Sequence, residues 1–239
     1  MNEETKMKSI GMLTVVALTL SSLSAYGSEA EHNKQRQSVN CQPFSQLRMT
    51  LEQNASDGDS EIVLFAKGQD DGLHALTITA PDGRKVAKFS GDREGIGIRE
   101  FALESAEPLD LNLVLKSFPE GIYQVRGAAV TGGCLVGSAY LSHQVAPATT
   151  LLTPAENAVV SVNNVELSWS HIAEAVLYTV ELKNKSLNSK FSFQIFPPTA
   201  NLAIPAAMLA PDSLYQFSVA VTTANGNLTS VETLFFTTP

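Results

Sequence analysis

The stretch "LAPDSLYQFSVAV", Leu209 to Val221, decides how this chain is read. A Leu is followed two residues on by a Pro and, after four more, by a Tyr that opens the alternating run "YQFSVAV". Alternation at period two puts one side of a strand in a core and the other in water. A Pro just ahead of such a strand marks a turn into it. Together they describe a strand entered through a tight corner, as at the crossing between the sheets of a β-sandwich.

Working outward, the neighbouring segments repeat the pattern. "VELSWS" alternates with Val165, Leu167 and Trp169 on one face, and "VLYTVEL" follows with Val176, Tyr178, Val180 and Leu182. "FSFQIF", "ANLAIP" and "ETLFFTT" complete a second set of strands. "APATTLLTPAEN", from Ala146, carries two prolines and no alternation, so 146–150 is expected to be a linker between domains.

With Leu209, Pro211 and Tyr215 at the corner, Trp169 and Tyr178 on successive strands, and "GN" at Gly226 and Asn227 before the last strand, residues 151–239 resemble the fibronectin type III family. The resemblance implies that the Tyr215 hydroxyl bonds back to the preceding loop and locks the crossing between sheets. It also implies a sandwich without an internal disulfide.

Ahead of it, "LRMTLEQ", "EIVLFAK", "HALTITA", "RKVAKFS", "IREFALE", "GIYQVRGAAV" and "LVGSAYLSHQV" are separated by "SDGD", "QDDG", "PDGR", "GDREG", "FPEG" and "TGG". Short strands with Gly and Asp at the turns predict an immunoglobulin-like β-sandwich over 41–145. Pro81, Asp82 and Gly83 supply a tight hairpin. "DLNLVLKSF", Asp110 to Phe118, spaces its apolar residues by three and four, which predicts a short helix at one end of the sandwich. The order of these segments, followed by the C-terminal domain, looks like a group of exported bacterial proteins of the same two-part layout, to which no activity is attached. The fold class is therefore all-β, two sandwiches in tandem.

The N-terminus reads as an export signal. Residues 1–27 pair a polar head bearing Lys6 and Lys8 with an uncharged apolar run of about 14 residues, short of the roughly 20 that span a bilayer. Small residues at Ala25 and Gly27, or Ser28 and Ala30, allow cleavage before Ser28 or Glu31. The alternative is an uncleaved anchor. Residues 28–40 follow as a polar, flexible arm. The expected location is the periplasm or the cell exterior, and the expected form after cleavage is not an integral membrane protein.

The formal net charge is −8, with no cluster of Lys or Arg. Nucleic acid and anionic lipid both demand a basic footprint, so neither is an expected partner. Cys41 and Cys134 are the only cysteines, and in an oxidising compartment an even count suggests one disulfide. Two unpaired small hydrophobes are the other reading; a metal site is disfavoured because neither has a second ligand at zinc spacing.

Candidate chemistry is sparse. Asp57, Asp59 and Glu61 form an alternating carboxylate series of a kind that can hold Ca²⁺, which Asp70 and Asp71, or Asp92 and Glu94, can join from neighbouring loops. The series lacks the Gly and the bidentate Glu of an EF-hand, and a polar turn explains it equally. His32, His74, His143 and His171 stand in no nucleophile or zinc motif, and His74 and His143 read as strand-end residues with solvated rings. Asn54, Asn184 and Asn227 head formal glycosylation sequons that read as exposed polar turns. The expectation is a non-enzymatic binding or spacer protein whose partner is another protein or an envelope component. A Ca²⁺-dependent interaction domain, or a carbohydrate-binding or hydrolase accessory protein, is the alternative.

Overall fold

The computed structural model describes residues 40–108 and 110–239. The expected signal and all of the arm except Asn40 lie outside the described residues. Alternating segments become strands wherever one face can be buried. In the N-terminal half these are β1 (Gln42–Pro43), β2 (Gln46–Asn54), β3 (Ser60–Lys67), β4 (Leu73–Thr79), β5 (Lys85–Ser90), β6 (Glu100–Glu104), the helix α1 (Leu111–Ser117), β7 (Gly121–Ala129) and β8 (Cys134–Leu141). The C-terminal half adds β9 (Leu151–Thr153), β10 (Ala158–Ser161), β11 (Glu166–Trp169), β12 (Ala175–Asn184), β13 (Ser189–Ile195), β14 (Asn201–Ala203), β15 (Leu214–Thr223) and β16 (Leu228–Thr238).

The N-terminal sandwich packs the sheet β1-β8-β7-β4-β5 on β2, β3 and β6. Strict alternation in β3 sends Ile62, Leu64 and Ala66 inward to meet Leu76, Ile78, Tyr123, Val125 and Leu141. The β4–β5 hairpin turns at Pro81 to Gly83, where Gly83 takes φ +84°, a backbone region that glycine enters without a Cβ penalty. Asp110 caps α1 by accepting the Asn112 amide at 3.0 Å, and Val114 is the residue the helix buries. The very short β1 was not legible as a strand. It is held beside β8 by parallel pairing and by the Cys41–Cys134 disulfide.

The C-terminal sandwich packs β14-β11-β9 against β13-β12-β15-β16, with β10 running parallel to the end of β16. Its core gathers Leu167, Trp169, Tyr178, Val180, Leu182, Phe217, Val219, Val221 and Phe235, and Trp169 meets Tyr178 edge to face. One residue departs from the expected alternation. Val176 faces solvent because the β12–β15 register slips between Ala175 and Leu177, a bulge that rotates the strand by one residue.

The two sandwiches do not meet only through 146–150. β16 pairs in parallel with β2, Leu228 opposite Glu52 and Ser230 opposite Asn54, so one eight-stranded sheet runs through both halves. Segment 146–150 is itself tied down. Ala146 is buried and its carbonyl accepts from the Thr229 hydroxyl at 2.7 Å, while the Thr149 hydroxyl donates to the Ser170 carbonyl at 2.6 Å.

Candidate functional site

The seam between β2 and β16 is organised by Asn227, fully buried at 0 % exposure. Its Oδ1 accepts the Leu51 amide at 2.9 Å, extending the parallel ladder by one step with a side chain. Its Nδ2 donates to the carbonyls of Ser142 at 2.9 Å and Gln144 at 2.8 Å, where the chain leaves β8. Asn225 adds a bond to the Ser142 hydroxyl at 3.3 Å. Asn184 is buried as well, its Oδ1 accepting the amides of Ser186 and Leu187. Both residues sit at turns as expected, but they are buried rather than exposed: Asn227 spends both ends of its amide on backbone groups, whereas Asn184 uses only Oδ1 and its Nδ2 has no partner among the described residues.

Above the seam the outer face of the continuous sheet is concave. A hollow of about 440 Å³ is lined by Thr179, Glu181, Lys190, Gln216, Ser218 and Glu232, and a second of about 620 Å³ by Arg48, Thr50, Tyr140, Leu177, Gln194 and Thr222. Glu52 and Leu228, neighbours across the seam, belong to both. Most side chains here are small or polar because they alternate with the core-facing set on β12, β15 and β16, and Tyr140, Leu177 and Leu228 add larger surfaces. Lys190 pairs with Glu181 at 2.8 Å, and Gln216 bonds to both Lys185 and Glu232. The surface offers hydrogen-bond donors and acceptors of both charges.

Beside it lies a face of like charge. Glu52 on β2 is directly opposite Glu61 on β3, and Glu104 on β6 is opposite Val63. Burial raises the Glu52 carboxyl above its ordinary value, with the Thr50 hydroxyl and Arg48 opposing the rise. Burial, then the charges of Glu104, Glu107, Glu52 and Asp59, pushes Glu61 up to about 7. One of its oxygens, Oε2, is buried with no hydrogen-bond partner among the described residues.

Of the proposed cation ligands, Asp57 sits in the β2–β3 turn, its carboxylate accepting from Asn54 Nδ2 at 3.0 Å and the Asp59 amide at 3.3 Å. Asp59 is raised by burial and then by Asp57 and Glu107. Asp71 accepts from the Thr131 hydroxyl, Asp70 pairs with Arg99, and Asp92 caps the Glu94 amide. Among the described residues no three His, Cys, Asp or Glu side chains come together to hold a metal.

His171 is exposed and His74 half-buried. The His143 ring is not simply solvated: its Nε2 lies 2.7 Å from the Phe118 carbonyl. No histidine bonds to a serine hydroxyl among the described residues. His32 lies outside them. Among the described residues no helix is long and apolar enough to cross a membrane.

At the opening corner, Leu209 is buried and the buried Tyr215 hydroxyl accepts the Ala210 amide at 2.8 Å while its ring stacks on Phe235. The C-terminal half is a fibronectin type III-like sandwich. A second corner went unread. In "PEGIY", Pro119 to Tyr123, the spacing of "PDSLY" recurs, and the Tyr123 hydroxyl donates to the Pro119 carbonyl at 2.9 Å. Pro followed four residues later by Tyr at the mouth of an alternating run was the available signal. Burial pushes Tyr123 up to about 12.

No protein-family model matches the chain, and no curated protein is similar to it in sequence. The solved structures that match do so at low identity and with low TM-scores. The FN1–FN3 domains of chicken CNTN1 are 13 % identical over 82 % of this chain and 69 % of theirs, with a TM-score of 0.35. A two-domain fibronectin type III segment of chicken tenascin is 11 % identical over 78 % and 95 %, TM-score 0.30. A bacterial ice-binding adhesin is 14 % identical over 83 % and 67 %, TM-score 0.28. The strand order of the chain itself, three strands against four with the tyrosine corner between, carries the fold assignment.

Proposed function

We propose that this chain is an exported, non-enzymatic binding or spacer module, acting in the periplasm or outside the cell on a protein or envelope component. The observation that carries this reading is the seam. A sheet continuous through both sandwiches, locked by a buried Asn227, fixes their mutual orientation and gives them a shared concave polar face. A fixed face of mixed charge and small side chains suits recognition of a folded surface, where affinity rests on shape and placed hydrogen bonds. The disulfide supports export, since such bonds persist in oxidising compartments.

The test uses the purified protein and a Ser218→Arg variant that fills the hollow from an outward position. Surface plasmon resonance over immobilised envelope fractions of the source organism should show saturable retention of the wild type and loss for the variant. Turnover of any member of a broad glycoside, ester and peptide panel, or absence of retention, overturns the reading.

A further inference from the structure

The N-terminal sandwich is open on one side. Both of its sheets end there on a strand with no further neighbour among the described residues, β5 in one and β6 in the other. Between them a cleft of about 140 Å³ reaches the core and is lined by Ile62, Leu64, Ile78, Val86, Leu103 and Phe118. Exposed apolar residues stand on the same side. Ile96 is 92 % exposed in the connection from β5 to β6, and Leu113 is 52 % exposed on α1, where a second hollow shares Ser105 and Phe118 with the cleft. Two free edges around an apolar opening form a template for pairing with another chain.

The backbone bonds show which groups are free. The Ser105 amide bonds to Ile62 O and the Gly68 amide to Arg99 O, so in the antiparallel ladder Phe101 and Leu103 spend their backbone groups on β3. Glu100, Ala102 and Glu104 aim theirs outward. On the other edge the Gly91 amide bonds to His74 O, which by the same alternation leaves Lys88 and Ser90 aimed outward. The edges carry opposite charge: Glu100 and Glu104 are exposed on β6, and Lys85 and Lys88 on β5. Lys85 and Lys88 have no ion pair among the described residues, and neither does Glu104; Glu100 meets Lys67 at 3.0 Å.

We propose that this open side is a self-association surface, on which two copies meet about a two-fold axis along the strands so that the basic edge β5 of each joins the acidic edge β6 of the other. β5 runs towards the 91–99 connection and β6 away from it, so the two edges are antiparallel, and rotation about an axis along the strands brings each beside its opposite in the second copy. Both clefts close against each other, and the connections bearing Ile96 come together at one end. Like edges repel, which excludes the β5–β5 and β6–β6 pairings and sets the arrangement. The uncompensated carboxylates of Glu61, Glu104 and Glu107 gain cations from the partner's Lys85 and Lys88.

Sedimentation equilibrium of the purified protein tests the arrangement. The wild type should approach twice the monomer mass as concentration rises, and dissociate at high salt because exposed charge pairs are screened. Ala102→Pro removes one outward amide without touching the β3 ladder and should weaken association at least about tenfold. Two charge-reversed proteins decide the matter even if the proline variant fails to fold. K85E/K88E alone and E100K/E104K alone should be monomers, while their equimolar mixture should form a heterodimer. A wild type monomeric at every concentration, or a dimer indifferent to both reversals, overturns the proposal and leaves the binding-module reading, tested on the seam, standing.

Discussion

The Asn227 side chain receives the backbone amide of Leu51 at 2.9 Å across 176 residues of sequence, and both residues are buried. This bond and the two that Asn227 gives to Ser142 and Gln144 tie three segments of chain at the place where the sandwiches join. Asn227→Ala leaves the Leu51 amide and the Ser142 carbonyl without partners, each costing about 1–3 kcal/mol when buried, while the Gln144 carbonyl keeps Asn225 Nδ2 at 3.4 Å. A loss of roughly 2 kcal/mol or more is expected from the midpoint of urea unfolding. Asn227→Asp should be no better, because a carboxylate would face two carbonyl oxygens.

The disulfide closes a loop of 93 residues and pins the two-residue β1 to β8. In the chain-entropy model such a loop is worth about 4–5 kcal/mol. Replacing Cys41 and Cys134 together by Ser should lower stability by about that amount, read as a lower urea midpoint. Reductant should lower the wild type to the same value and leave the variant unchanged.

Glu61 makes stability depend on pH in a defined direction. Its carboxyl stands at about 7 in the folded protein against an ordinary 4.5, so the neutral form is the one the fold prefers. The contribution is fully present below about pH 4.5 and is lost as pH rises through about 7. Glu61→Gln keeps the neutral shape at all pH. It should raise Tm at pH 8, by about 2–4 °C once solvent screening of this partly exposed carboxyl holds the charge cost to about 1 kcal/mol, and leave it unchanged well below pH 4.5.

The two tyrosine corners make opposite bonds, and their loss should differ. Tyr215→Phe orphans the Ala210 amide, while Tyr123→Phe orphans only the Pro119 carbonyl, which has a second lone pair to use. Chemical unfolding should show the first costing about 1–2 kcal/mol and the second less.

Much of this was readable along the chain. Strands over 61–67 and 214–221 alternate so strictly that the buried face follows from the residues, and Asp110 at the head of "DLNLVLKS" announces the helix that it caps. Val176 was misplaced because a bulge depends on how β12 aligns with β15, and no residue in "VLYTVEL" signals it. Asn184 and Asn227 read as turn residues since short polar side chains favour turns; burial came from neighbours far away in sequence.

The sequence by itself determined the all-β class, the two cores, the tyrosine corner at 209–215 and most of the residues that face inward, because alternation at period two is a local consequence of strand geometry. Tertiary structure alone decided the seam, the concave face above it and the open side with its opposed charges. Those features are set by which strands lie at edges and which pair across 170 residues or more of chain, and such pairing is a property of packing that no local pattern encodes.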